Sequence, residues 1–183
     1  LMVVVAILPV WLIPQPQTPS CEHEPTPTPP LRRARILAVG DLMQHEEQLK
    51  SALQADSCTY DYTPCFKYVE SFFREADISI VNLETTLSDS GPYSGYPTFK
   101  SPTALGVEIR RIGVDLAAMA NNHCLDRGRR GVLNTIRILD SLAIERVGVY
   151  ADSADYVKNA VKYIERGGIR FAFVNYTYGT NGI

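Results

Sequence analysis

Three places in the chain put oxygen- or nitrogen-bearing side chains directly after a short apolar run: Asp41 in GDLMQH, Glu84 in NLE, and Asn122 with His123 in NNH. A lone Asp after a strand is ordinarily a helix cap, and a lone Asn a turn residue. Three such endings in succession fit a shared crevice better, because in open α/β sheets functional groups gather beyond the carboxyl ends of the strands. Asp41 and Glu84 offer hard anionic oxygens, Asn122 a neutral amide oxygen, and His123 an imidazole that can bind metal or give up a proton. Mixed nitrogen and oxygen donors favour a first-row divalent metal, singly or as a pair, over calcium, which prefers oxygen throughout. Such a metal polarises a phosphoryl oxygen and lowers the pKa of bound water to about 7. A protonated His123 can then donate to the leaving-group oxygen.

Three neighbours carry two readings each. His45 lies four residues after Asp41; it either turns back toward the crevice or is an ordinary polar residue in the first turn of a helix. Asp126, in LDRGRRG, reads as a cap for a helix beginning near Gly128, with a role steering His123 as the alternative. Asn121 reads as a turn-shaping residue acting through backbone hydrogen bonds. Cys124 reads as packing and receives no role.

The elements that must position these groups follow from periodicity. Arg35–Gly40 reads as a buried strand, Met43–Ala55 and Pro64–Glu75 as helices, and the ADISIVNLE segment as a second strand. Ser88–Pro102 reads as an ordered surface loop able to form a wall of the site. A helix over Thr103–Ile112 stops at Gly113, Val114–Ala120 is a third strand, and a helix over Arg129–Leu142 leads to the strand Arg146–Tyr150. Two β-rich runs meeting at Gly167 and Gly168 read as a hairpin. Alternating strands and helices imply an α/β fold with a mostly parallel sheet flanked by helices, and antiparallel additions.

At 183 residues, 45% of them hydrophobic, the chain can bury one core, and a formal charge of -2 with no basic stripe argues against a nucleic-acid partner. Residues 1–13 are apolar and uncharged, too short for a full span, and suit a signal-peptide core or the remnant of a membrane anchor; the protein is therefore expected outside the cytoplasm. Residues 14–31 form a Pro/Thr-rich linker, and the folded domain occupies 32–183. His23, within that linker, is excluded from the site. Cys21 as a lipid-bearing residue has a poor processing site before it. Cys58 and Cys65 could close a small disulfide loop or remain two thiols, two readings that spacing leaves open.

The motifs GDLMQH, IVNLETTL, ANNHCLDRG and NYTYGTNG, in that order, resemble the CapA family of bacterial capsule-synthesis proteins over roughly Ile36 to Ile183. The resemblance implies a role in making or exporting poly-γ-glutamate capsule and a layered sandwich that is a variant of the calcineurin-type metallophosphatase fold. It makes Asp41 a ligand to one metal, Glu84 a carboxylate shared between two, Asn122 a ligand to the second, and His123 the acid beside them. Two divalent ions, manganese, iron or zinc, are the implied cofactors, and the implied partners are an anionic polymer or phosphoester substrate and capsule-synthesis membrane proteins. The family's downstream histidines do not occur before Ile183, where only His23, His45 and His123 are present, so the sequence reads as truncated at the C-terminus. Two alternatives stand beside a metal-dependent phosphoesterase: a noncatalytic scaffold that binds an anionic polymer, and a phosphodiesterase unconnected with capsule.

Overall fold

The computed structural model describes residues 30–181, so the apolar leader and nearly all of the Pro/Thr-rich linker lie outside the described residues. Strands β1 (Ile36–Leu42), β2 (Ile78–Leu83), β5 (Leu116–Ala118) and β6 (Glu145–Val147) form a parallel sheet in the order β1-β2-β5-β6. Strands β3 (Thr86–Ser88) and β4 (Lys100–Pro102) pair separately in parallel, and β7 (Lys162–Arg166) with β8 (Ile169–Phe173) makes an antiparallel hairpin. Helices α1 (Glu46–Ala52), α2 (Thr63–Phe66), α3 (Glu70–Glu75), α4 (Thr103–Ile112), α5 (Gly128–Ser141) and α6 (Ser153–Asn159) fill the connections. This is the expected α/β arrangement of a mostly parallel sheet flanked by helices.

The two-residue period of β2 divides the interior. Val81 and Leu83 face the main core with Leu105, Ile109 and Ile112 of α4 and Ile138 and Leu139 of α5. Ile78 and Ile80 face the other way and pack with Leu116, Val147 and the hairpin residues Ile164, Phe171 and Phe173. Helix α4 ends as its sequence demands: Gly113 takes φ +106°, and its N–H bonds Arg110 and Ile109 carbonyls.

Several boundaries differ from the sequence reading. Among the described residues β1 sits at the sheet edge, paired with β2 alone, and Ile36 and Val39 are 42% and 38% exposed rather than buried. α1 stops at Ala52 because Asp56 turns the following chain, accepting from the Cys58 and Thr59 N–H groups at 2.9 and 2.8 Å. The single helix expected over Pro64–Glu75 is two, α2 and α3, separated by a tight turn in which Val69 N–H bonds the Phe66 carbonyl at 2.9 Å. That turn lets both Phe66 and Phe73 reach the main core. Cys58 and Cys65 are free and exposed, which decides between the two readings of that pair in favour of thiols.

Candidate functional site

A bulge at the end of β1 sets the site. Val39 lies opposite Val81, but Asp41, not Gly40, lies opposite Asn82; the extra residue brings the Asp41 carboxylate alongside Asn82. One step on, Glu84 N–H bonds the Leu42 carbonyl at 3.0 Å, which continues the pairing past β2 and holds Glu84 beside the end of β1. The Asn82 amide nitrogen donates to Asp41 Oδ1 and to Glu84 Oε2, each at 2.8 Å. Two carboxylates thus share one donor.

The segment after β5 closes on the same point. Asn175 fastens its base, its Oδ1 accepting from Ala120 N–H at 2.5 Å. Asn121 donates through Nδ2 to Asn82 Oδ1 at 3.1 Å and to the Leu83 carbonyl at 3.0 Å, while its own Oδ1 accepts from His123 N–H at 3.1 Å. His123 is thereby turned inward, its Nε2 4.0 Å from Glu84 Oε1. Behind the ring, Asp126 Oδ2 lies 2.7 Å from His123 Nδ1 and also accepts from Phe99 N–H at 2.6 Å. The Phe99 ring meets His123 edge-on at 4.5 Å. The cap position of α5 is Arg127, so Asp126 serves the imidazole and the loop rather than the helix start. Its second oxygen, Oδ1, is buried without a hydrogen-bond partner.

Glu84, Asn121 and His123 are each 7% exposed, whereas Asp41 stands in solvent. Burial, then the Asp41 charge and the hydrogen bond to it, raise the Glu84 pKa above its ordinary value, against the opposing pull of His123 and Asn82. A cleft of about 630 Å³ opens beside the ring, lined by Tyr96, Thr98, Asn122, His123, Asp126 and Asn181. The Ser88–Pro102 stretch is not wholly a loop, since its ends belong to β3 and β4, but the loop between those strands forms one wall of the cleft through Tyr96 and Thr98. That loop is pinned to the start of α1 at Gly95, whose N–H donates to Glu46 at 2.9 Å and where any Cβ would lie 2.8 Å from the His45 Cα.

Asp41, Glu84, Asn121, His123 and Asp126 are therefore brought together. Asn122 is not in that network: it is exposed, and its amide contacts Asn181 at 3.4 Å. His45 caps α1, exposed, and reaches His123 only across the Phe99 ring, which it meets at 5.4 Å. Asn82, Phe99, Asn175 and Asn181 carried no role in the sequence reading. The signal for Asn82 was an amide near the end of the largely apolar strand ISIVNL.

Among the described residues no three His, Cys, Asp or Glu side chains are grouped so as to hold a metal ion. The two carboxylates nevertheless fit one divalent cation. They converge on a single amide hydrogen-bond donor, and burial first, then the Asp41 charge, raise the Glu84 pKa, costs to its ionised form that a bound cation would offset.

The fold is an α/β domain of the metallophosphatase type, with a cluster of polar groups at the carboxyl ends of its parallel strands. The family described as bacterial capsule synthesis protein PGA_cap matches residues 35–183, and the chain belongs to it. Among curated relatives, "Uncharacterized protein y4sH" of Sinorhizobium fredii is 34% identical over 119 residues, 61% of this chain and 25% of that protein. The "Probable polyglutamine synthesis accessory protein Rv0574c" of Mycobacterium tuberculosis is 29% identical over 82 residues, 42% of this chain and 20% of that protein. The matched stretches thus span a quarter or less of these relatives.

Proposed function

We propose that the crevice holding Asp41, Glu84 and His123 is a metal-dependent phosphoester-hydrolysing site in a protein of capsule synthesis. The observation that carries this reading is the convergence of two strand-end carboxylates on the Asn82 amide, with the His123 ring beside them and Asp126 behind it. Asp41 and Glu84 would hold a divalent cation, manganese, iron or zinc, and the family resemblance makes Asn122 the candidate ligand to a second. A cation bound there supplies polarisation of a phosphoryl oxygen and a water of lowered pKa.

The chain's own residues do the remaining work. Asp126 engages His123 at Nδ1, which fixes the ring and leaves Nε2 on the Glu84 side to pass a proton to the leaving-group oxygen. Asn121 holds the His123 backbone at the angle this requires. The family's capsule-synthesis description and the mycobacterial relative's name, a polyglutamine synthesis accessory protein, support a role in polymer synthesis, and in this reading the substrate is an anionic polymer or a phosphoester precursor. In this reading the protein works outside the cytoplasm with membrane proteins of capsule synthesis. No helix among the described residues is long and apolar enough to cross a membrane.

The test is hydrolysis of a generic phosphodiester by the full-length protein that carries this chain, before and after metal removal, with metal content measured alongside. Hydrolysis that disappears with the metal and returns on its addition is expected. Metal binding without turnover would replace this reading by that of a binding scaffold, and activity indifferent to metal would remove the metal from it.

A further inference from the structure

A second cavity, of about 340 Å³, is lined by Lys100, Arg127 and Arg130, with Thr86, Ser88 and Asn134 also on its walls. No carboxylate lines it. The three cations come from two separate elements: Lys100 opens β4, Arg127 occupies the cap position of α5, and Arg130 lies in the first turn of that helix.

Their charge is uncompensated. Among the described residues none of the three forms an ion pair. Asp89, the carboxylate nearest in sequence to Ser88 and Ser90, is already engaged by Arg137 and Thr103. Arg127 spends its guanidinium on Ser94 Oγ and on the Thr98 carbonyl at 2.8 Å, both neutral acceptors. Lys100 stands 5.7 Å over the Tyr93 ring. The first turn of α5 contains no acidic residue to balance its basic ones, although a helix start is itself positive. Burial, and then the charges of Arg127 and Arg130, lower the Lys100 pKa, as expected where like charges share one space. A fold that gathers three cations around a cavity without a counter-ion holds an electrostatic cost that a bound anion would offset.

We propose that this cavity is an oxyanion site that takes a carboxylate or phosphate group of a ligand. Arginine guanidinium groups match either oxyanion in a bidentate fashion, and the lysine adds a compact charge. Its position adds a consequence. Arg127 directly follows Asp126, and Lys100 directly follows Phe99, the two residues that brace His123. A ligand anchored in the cavity therefore lies along the same stretch of chain as the crevice. The inference stands on the cavity's own chemistry and holds whether or not the crevice hydrolyses anything.

The test is calorimetric titration of the full chain, stripped of metal, with two probes in low salt: inorganic phosphate and an oligoglutamate. Lys100→Gln, Arg130→Gln and, as an equal charge change away from the cavity, Lys67→Gln are compared, each checked for its fold by circular dichroism. Saturable binding of at least one probe is expected, weakened roughly tenfold by Lys100→Gln and by Arg130→Gln and little altered by Lys67→Gln. Which probe binds more tightly identifies the source of the oxyanion. Failure of both probes to bind the folded chain overturns the proposal. So does equal weakening by all three substitutions, which would mark diffuse attraction to net charge, or affinity unchanged in both cavity variants. Omitting metal keeps a failure here distinct from a failure of the hydrolysis reading.

Discussion

Replacing Glu84 with Gln separates the charge of the crevice from its shape. Two bonds of 2.8 Å to one nitrogen hold the Asp41 and Glu84 oxygens no more than about 5.6 Å apart. Two unit charges at that separation repel by about 0.7 kcal/mol in bulk water and about 3 kcal/mol at an effective dielectric of 20. Asp41 is solvent-exposed, so screening brings the cost toward the lower figure, on the order of 1 kcal/mol. Glu84→Gln should therefore raise the stability of the metal-free chain at neutral pH by about that amount, or about 2–4 °C in Tm for a domain of this size. The pH dependence has a definite sign. The Glu84 pKa is raised in the folded state, so its ionisation destabilises the fold as pH climbs from the ordinary carboxylate range, and wild type and variant should converge below that range. Added metal reverses the order: at about a hundredfold excess over Kd it should stabilise wild type by about 2.7 kcal/mol and the variant far less. Thermal melts of both proteins across pH, with and without manganese, read all of this. A variant no more stable than wild type without metal, yet equally stabilised by it, would refute both the charge crowding and the ligand role.

His123→Asn should lower phosphodiester turnover by about 10²- to 10⁴-fold with metal content unchanged by elemental analysis; loss of metal would instead make His123 a ligand. Arg146, 8% exposed at its side chain, pairs with Asp140 at 3.1 Å and Asp155 at 3.0 Å, so Arg146→Met should cost about 3–5 kcal/mol by leaving Asp155 half-buried and unpaired. Burial pushes the Asp155 pKa up, but Arg146, the Ala151 N–H and Asn159 outweigh it and hold the pKa below its ordinary value; that stabilisation is present above the carboxylate range and lost as pH falls, so the variant's acid unfolding should be shallower. Cys58 and Cys65 should both alkylate in the native protein, each slowed by a raised pKa, through the hydrogen bond with Asp56 for Cys58 and through burial for Cys65, and a mass-spectrometric disulfide between them would refute the free-thiol state.

The parts of the fold legible in the sequence are those written in local chemistry. Helix α4 runs over Thr103–Ile112 as its apolar spacing predicts, because Gly113 supplies the left-handed residue that ends it. The hairpin turns at Gly167 and Gly168, which take φ +59° and +71°, conformations that their lack of a Cβ permits. What was not legible depended on tertiary context. Among the described residues β1 lies at the sheet edge, and an apolar run gives no sign of which strand will be outermost. α2 and α3 present a continuous apolar spacing, yet reaching the core from both Phe66 and Phe73 requires the turn between them. Helix α6 had a signal that went unread: Asp152 caps it by accepting from Asp155 N–H at 2.8 Å, a spacing visible in DSAD.

The crevice shows the same division at the scale of single atoms. That acids, amides and a histidine would meet was readable because each follows an apolar run, and parallel strands deliver their ends to one side of a sheet. How they meet was not, because it rests on one inserted residue. Without the bulge after Val39, Gly40 would lie opposite Asn82 and the Asp41 side chain would point to the other face of the strand. With it, Asp41 on β1 and Glu84 just past the end of β2 converge on an amide that Asn121, after β5, orients. The residue at the centre of this arrangement is therefore neither of the acids that chemistry singles out but Asn82, whose two donor hydrogens and one acceptor oxygen are all committed. Such a neutral hub lets two carboxylates stay close, one of them buried, without a cation of the chain's own to separate them. It leaves their charge free to be met by something that binds.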